Sequence, residues 1–188
     1  MSCVMTINKQ GKVIDYDIFE SYIKSAKKMT YEAVNDILMR DIVAPGYEPF
    51  ADTLKEMNEL AHILRKEKMS RGYIDFDLDE PEIIQDEQGR AIDIVRVERE
   101  DGEKLIEDFM IAANETVASH IYNMDLPFIY RVHGKPNTEK IEDFTNLLKI
   151  LGYQLQTKVY DLTPITMQHI LKELDDKPEF TILSSMLL

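Results

Sequence analysis

Hydrophobic positions along this chain change period several times. Near the start, Cys3–Ile7 and Lys12–Tyr16 read as strands around Asn8-Lys9-Gln10-Gly11, with glycine where a hairpin loop often needs a positive φ. β character continues through Asp17–Ile23 as an extension of the second strand. Thr30 offers an N-cap for a short helix, Tyr31–Arg40, and Ala44-Pro45-Gly46-Tyr47-Glu48-Pro49 breaks the chain. From Phe50 the period becomes helical: Phe50, Leu54, Met57, Ala61 and Leu64 fall on one face, predicting a helix that ends near Gly72. Its last turns carry Arg65, Lys66, Lys68 and Arg71, whose plainest reading is a set of cations at a helix C-terminus.

Tyr73–Leu78 alternates briefly, and Ile83–Asp86 with Arg90–Val97 predicts a second hairpin around Glu87-Gln88-Gly89. The most apolar helical stretch is Glu103–Ile121, free of proline and glycine, whose part from Lys104 would span roughly 27 Å. Leu105, Phe109, Met110, Ala112, Ala113 and Val117 form its broad apolar side. Glu107 and Asn114 lie opposite, yet Ile111 and Ala118 share their stripe, which a plainly solvated face would rarely show. Leu126–Val132 reads as a strand leading into a turn at His133–Pro136. Asn137 or Thr138 caps a helix Glu139–Leu151, Thr163-Pro164 opens another over Ile165–Leu174, and Thr181–Leu188 begins one more. The expected class is α+β: β-hairpins packed on several helices around a long central helix.

Composition narrows the function. At 188 residues, the chain is long enough for a domain or a large piece of one. Its 35 acidic against 22 basic residues leave a net charge of −13, which argues against a polyanionic partner but says nothing of where the charges sit. Cys3 stands alone, so no intrachain disulfide or multi-thiolate metal site can form, and a reducing cytoplasm is the natural compartment. No apolar run reaches membrane-spanning length and no leader pattern opens the chain, so neither membrane insertion nor secretion is expected. Glycine-rich phosphate loops, HExxH pairs and GxSxG elbows are absent, and His62, His120, His133 and His169 have no metal-ligand spacing. Asp75, Asp77 and Asp79 would share one side of a strand beside Glu80, a pattern better suited to a solvated edge than to a cation loop. Glu103, Glu107 and Asp108 could form acid–base pairs, but no nucleophile accompanies them.

Four stretches taken in order change that picture: Phe19–Ser25 with Met29-Thr30-Tyr31; Arg71-Gly72-Tyr73-Ile74-Asp75-Phe76; Leu105–Asn114; and Tyr130–Pro136. Together they resemble the ribonuclease II / ribonuclease R family, the RNB-type processive 3′→5′ exoribonucleases, with the ribonuclease R branch the nearer. The resemblance implies that residues 1–188 are the central part of an RNB-type catalytic domain. The family's metal-binding aspartate segment would lie before it and the arginine-rich segment after it. The intact enzyme would use Mg2+ to hydrolyse single-stranded RNA to nucleoside 5′-monophosphates. This stretch alone is expected to hold no catalytic residue, to bind no Mg2+, to be inactive, and to self-associate through surface that the rest of the domain would cover.

Three positions match the family's RNA-contacting residues. Phe76 corresponds to an aromatic that stacks on a terminal base, Tyr31 to a tyrosine lining the RNA channel, and Glu107 to a glutamate at the ribose near the 3′ terminus. Without the resemblance, Phe76 would read as a core residue, Tyr31 as a half-buried packing residue and Glu107 as a solvated charge. The competing expectation is a non-catalytic α+β binding or scaffolding module.

Overall fold

The computed structural model describes residues 1–75, 80–97, 99–132, 137–153, 163–174 and 177–186. They divide into two compact units, one of Met1–Glu67 with Asp77–Phe128 and the other of Lys68–Phe76 with Ile129–Leu188. The class is α+β, as expected.

The first unit opens with strands β1 (Ser2–Ile7) and β2 (Val13–Phe19), paired antiparallel with a register shift at Thr6/Ile7. A second hairpin, β3 (Glu80–Gln85) with β4 (Ala91–Val97), pairs Ile83 with Ile94 and shifts register at Ile84/Gln85. Both loops are closed the same way. Asn8 Oδ1 accepts the amides of Gln10 and Lys12 at 3.0 Å, and Asp86 Oδ1 accepts those of Gln88 and Arg90 at 2.9 Å. Each ends on a glycine of positive φ, Gly11 at 80° and Gly89 at 76°. Their surroundings differ: a Cβ on Gly11 would sit 2.8 Å from the Ile63 carbonyl oxygen, whereas one on Gly89 would meet nothing within 4 Å. Strand β2 stops at Phe19 instead of running to Ile23, because β1 supplies ladder partners only that far.

Helix α1 (Tyr31–Arg40) begins where Thr30 Oγ1 accepts the Ala33 amide at 3.4 Å. A 3₁₀ turn at Glu48–Phe50 leads into helix α2 (Ala51–Ser70), and helix α3 (Asp101–Asn123) is the predicted long helix. Val34 and Ile37 of α1 meet Tyr47 and Leu54 in a core extended by Met29, Phe50 and Met57. The buried line of α3 runs Gly102, Leu105, Asp108, Ala112, Thr116, along one edge of the side the periodicity marked. Met110, expected on that side, is exposed instead.

The second unit contains α4 (Thr138–Ile150), α5 (Pro164–Leu174) and α6 (Phe180–Met186). Asn137 Oδ1 caps α4 through the Glu139 amide at 2.9 Å, and Thr163 Oγ1 caps α5 through the Thr166 amide at 3.2 Å. Phe144, Leu148, Leu174 and Leu183 are almost completely buried together as its core. Gln168 Nε2 donates to the carbonyls of Met69 and Tyr73 at 3.1 and 2.8 Å, tying α5 to the segment after α2. Tyr73–Asp75 is not a strand, and the rest of that expected segment lies outside the described residues, as does the turn at His133–Pro136.

Leu126–Val132 corrects a second strand expectation. Its residues are exposed and without regular structure, because none of the described residues offers it a ladder partner. Apolar content alone does not make a strand; a strand needs a neighbour to complete its ladder.

Candidate functional site

Helix α3 is held by α1 and α2 through polar side chains set into otherwise apolar faces. Glu100 precedes α3 without capping it; Asn35 of α1 supplies the acceptor for the Gly102 amide instead. Arg40 Nη2 donates to Glu100 Oε1 at 2.6 Å, and Asn58 Nδ2 of α2 donates to Asp101 Oδ2 at 3.2 Å. With its first turn fastened on two sides, α3 presents a defined register to α2.

About two turns further along, Arg65 of α2 meets α3. Its Nε donates to Asp108 Oδ2 at 2.9 Å, and its Nη2 lies 3.7 Å from Glu107 Oε1. Arg99 Nη1 approaches the other oxygen of Glu107 at 3.1 Å. The Asp108 side chain is only 2% exposed, and those of Arg65, Arg99 and Glu107 are about a fifth to a quarter exposed. A buried carboxylate needs a cation and a good hydrogen bond to remain tolerable. Asp108 therefore requires Arg65, and Arg65 is then fixed beside Glu107.

This reading corrects two sequence expectations. Arg65 is not merely a cation near a helix end but the partly buried counter-ion of the buried Asp108 and a neighbour of Glu107. Asp108, which the sequence offers only as a member of an acid–base pair, lies on the apolar stripe of α3 by the spacing Leu105, Asp108, Ala112, and a carboxylate there signals a buried partner.

Tyr31 stands at the first position of α1, half exposed at 50%. Its ring helps line an apolar cleft of about 460 Å³ together with Met29, Val34, Phe50, Met57 and Ile106. Glu107 does not line that cleft, and it is engaged by the two arginines instead. Phe76 lies outside the described residues. Elsewhere on α3, His120 Nδ1 and the Tyr16 hydroxyl are 3.2 Å apart with their rings edge to face, joining β2 to the helix.

The acid pairs proposed from sequence resolve differently. Glu103 accepts from Asn35 Nδ2 at 3.0 Å, whereas Glu107 and Asp108 face arginines, so these carboxylates serve ion pairs and hydrogen bonds rather than a shared proton. Among the described residues, no three His, Cys, Asp or Glu side chains converge to hold a metal ion. Asp77 and Asp79 of the acidic run lie outside the described residues. Among the described residues, no helix is long and apolar enough to cross a membrane.

Comparison with known proteins gives one consistent answer. A family model described as the RNB domain matches residues 1–188. Ribonuclease R 1 of Lactococcus lactis is 40% identical over 188 residues, which is all of this chain and 23% of the relative. Ribonuclease R of Thermotoga maritima is 42% identical over 179 residues, covering 95% of this chain and 25% of the relative. Among solved structures, Mycoplasma genitalium RNase R in complex with ribose methylated single-stranded RNA superposes with a TM-score of 0.91 at 27% identity, covering 99% of this chain and 29% of that one. The same protein in complex with double-stranded RNA also gives a TM-score of 0.91. The chain spans about a quarter of the length of the curated relatives it matches.

Proposed function

We propose, from the fact that this chain belongs to the RNB-domain family, that it forms the central part of the catalytic domain of a processive 3′→5′ exoribonuclease. The match over the whole chain to ribonuclease R relatives carries this reading. The substrate would be single-stranded RNA, released as nucleoside 5′-monophosphates in the cytoplasm.

Three residues would meet the RNA. Tyr31, half exposed beside an apolar cleft, offers a ring against which a base can stack, an interaction of about 1–3 kcal/mol that tolerates any sequence. Phe76 would supply a second stacking surface at the 3′ end. Glu107 would accept a hydrogen bond from a 2′-hydroxyl, the group by which RNA is told from DNA.

The intact enzyme would depend on Mg2+. The chemical step would fall to the family's metal-binding aspartates, which the resemblance puts outside this stretch, and this stretch would contribute binding. Taken alone it would not cut RNA, and its exposed apolar side chains would favour self-association. The net charge of −13 favours a second reading, a non-catalytic α+β binding or scaffolding module with no RNA partner.

Fluorescence anisotropy with a labelled single-stranded oligoadenylate separates the two. The exoribonuclease reading predicts binding by the 188-residue chain, weakened at least about fivefold in Tyr31→Ala and in Phe76→Ala, the loss of roughly one stacking contact. It also predicts no Mg2+-dependent release of monophosphates. Binding indifferent to both substitutions, or none, would favour the second module.

A further inference from the structure

We propose that Lys27, its ammonium seated on the ring of Tyr47, is a phosphate contact for the RNA strand whose base stacks on Tyr31. The proposal rests on the reading that Tyr31 meets RNA. It starts from a local exception to the charge of the chain. Ser21–Thr30, the ten residues before Tyr31, carry Lys24, Lys27 and Lys28 and no acidic residue, in a chain of net charge −13. Among the described residues, no carboxylate lies within ion-pair distance of any of these three lysines. A polyanion therefore meets positive charge here that the protein has not itself neutralised.

Lys27 differs from the other two in being held. Lys24 and Lys28 are exposed, whereas Lys27 is half-buried and its Nζ lies 4.3 Å from the centroid of the Tyr47 ring. Gly46 leaves room for that seat, since a Cβ there would come within 3.1 Å of Nζ. An aromatic face attracts a cation without cancelling its charge, as a carboxylate in the same place would. The ammonium thus keeps its charge while its long side chain is already ordered, and a phosphate meets it without having to immobilise a free lysine. Tyr47 also relates this cation to Tyr31. It is 7% exposed, packed in the core with Val34, Ile37 and Leu54, and its hydroxyl accepts the Thr30 amide at 3.2 Å. One buried side chain thereby sets both the backbone directly before Tyr31 and the ammonium of Lys27. A cation beside a stacking ring is the combination by which single strands are bound without regard to sequence.

The salt dependence of binding tests the idea, because each phosphate contact with a single strand adds about 0.7 to the slope of log affinity against log salt. Anisotropy of a 5′-labelled oligoadenylate is followed across a salt series for the 188-residue chain and for Lys27→Met, Lys27→Arg, Lys24→Met, Tyr47→Leu and Tyr31→Ala. Lys27→Met should make the slope shallower by about 0.7, and Lys27→Arg, which still stacks on a ring, should keep it. Lys24→Met removes the same charge from an unseated lysine of the same stretch and should change the slope by less than half as much. Tyr47→Leu should lower the slope as far as Lys27→Met does. Tyr31→Ala should weaken binding at every salt concentration and leave the slope unchanged. If Tyr31→Ala weakens binding but Lys27→Met alters the slope no more than Lys24→Met, the phosphate contact is overturned and the stacking reading stands. A slope kept in Tyr47→Leu overturns the seat, and the proposal with it. If Tyr31→Ala changes nothing, or the chain does not bind, the stacking reading fails and takes the proposal with it. Thermal melts identify a variant that does not fold; should Tyr47→Leu be one, the contrast between Lys27→Met and Lys24→Met decides, because neither lysine lies in the core.

Discussion

Asn35 Oδ1 accepts the Gly102 amide at 2.7 Å, so the cap of α3 comes from a helix 67 residues earlier in the chain. The same side chain donates from Nδ2 to Glu103 at 3.0 Å and is itself 3% exposed. One amide group thus satisfies a first-turn donor and a first-turn carboxylate of α3 at once. A Cβ added to Gly102 would lie 2.7 Å from Asn35 Oδ1, which leaves no room for a larger residue while that side chain is in place.

Asn35→Ala should therefore destabilise the first unit by about 2 kcal/mol, combining a lost cap with an unsatisfied buried amide. Gly102→Ala should also destabilise it, but by less when Asn35 is already alanine. A double-mutant cycle in urea should give a coupling of about 1 kcal/mol. Strict additivity would mean that the two sites do not touch as described.

Asp108→Ala should cost about 3 kcal/mol, because it removes the carboxylate that the partly buried Arg65 guanidinium meets at 2.9 Å. Glu107→Gln, at a more exposed position, should cost less than about 1 kcal/mol. Equilibrium denaturation of both variants checks the contrast, and equal losses would contradict it.

These two sites also mark how far the sequence could be read. Thr30, Asn137 and Thr163 announce helix starts locally, and all three cap as expected. Asn35 looks like an ordinary mid-helix asparagine because its partner amide belongs to another element. Likewise, Arg65 and Asp108 are 43 residues apart, and helix periodicity sorts residues by polarity rather than by partner. Leu126–Val132 failed for a related reason: strand propensity is local, but a ladder is not. Tyr31 and Glu107 needed the family resemblance to stand out, since neither position is unusual for its residue type.

Asp41 ends α1 with a left-handed backbone, φ 56°, and its carboxyl lies 2.5 Å from Lys55 Nζ. The hydrogen bond from Lys55, followed by its charge, holds the Asp41 carboxyl below its ordinary 3.8, and the same contact raises Lys55 above 10.5. For the acid, stability from the pair is fully present above pH 3.8 and fades as pH falls through the lowered value. For the lysine it is present below pH 10.5 and fades as pH rises through the raised value. Both groups are exposed, so the effect should be small and screened by salt. The melting-temperature difference between the unsubstituted chain and Lys55→Met should shrink below pH 3.8 and at high salt. A difference constant across that range would rule out the linkage.

Ile83 and Ile94 face each other across the β3–β4 ribbon, with 54% and 67% of their surface open. Replacing them with lysine and glutamate should preserve the hairpin through an opposite-charge cross-strand pair while removing apolar surface. Sedimentation should show less concentration-dependent association in this double variant, with little change in melting. Identical association in both proteins would exclude this ribbon as the contact.

The two Asx-closed hairpin loops are alike in hydrogen bonding and opposite in what they can accommodate. Gly11 is pressed against the backbone of α2, so an inserted epitope or bulky fluorophore between Asn8 and Lys12 would have to prise the loop from the helix. Gly89 has open space around it. That makes Glu87–Gly89 the place to splice a tag or attach a dye for the binding measurements above while leaving the α1–α2–α3 assembly undisturbed.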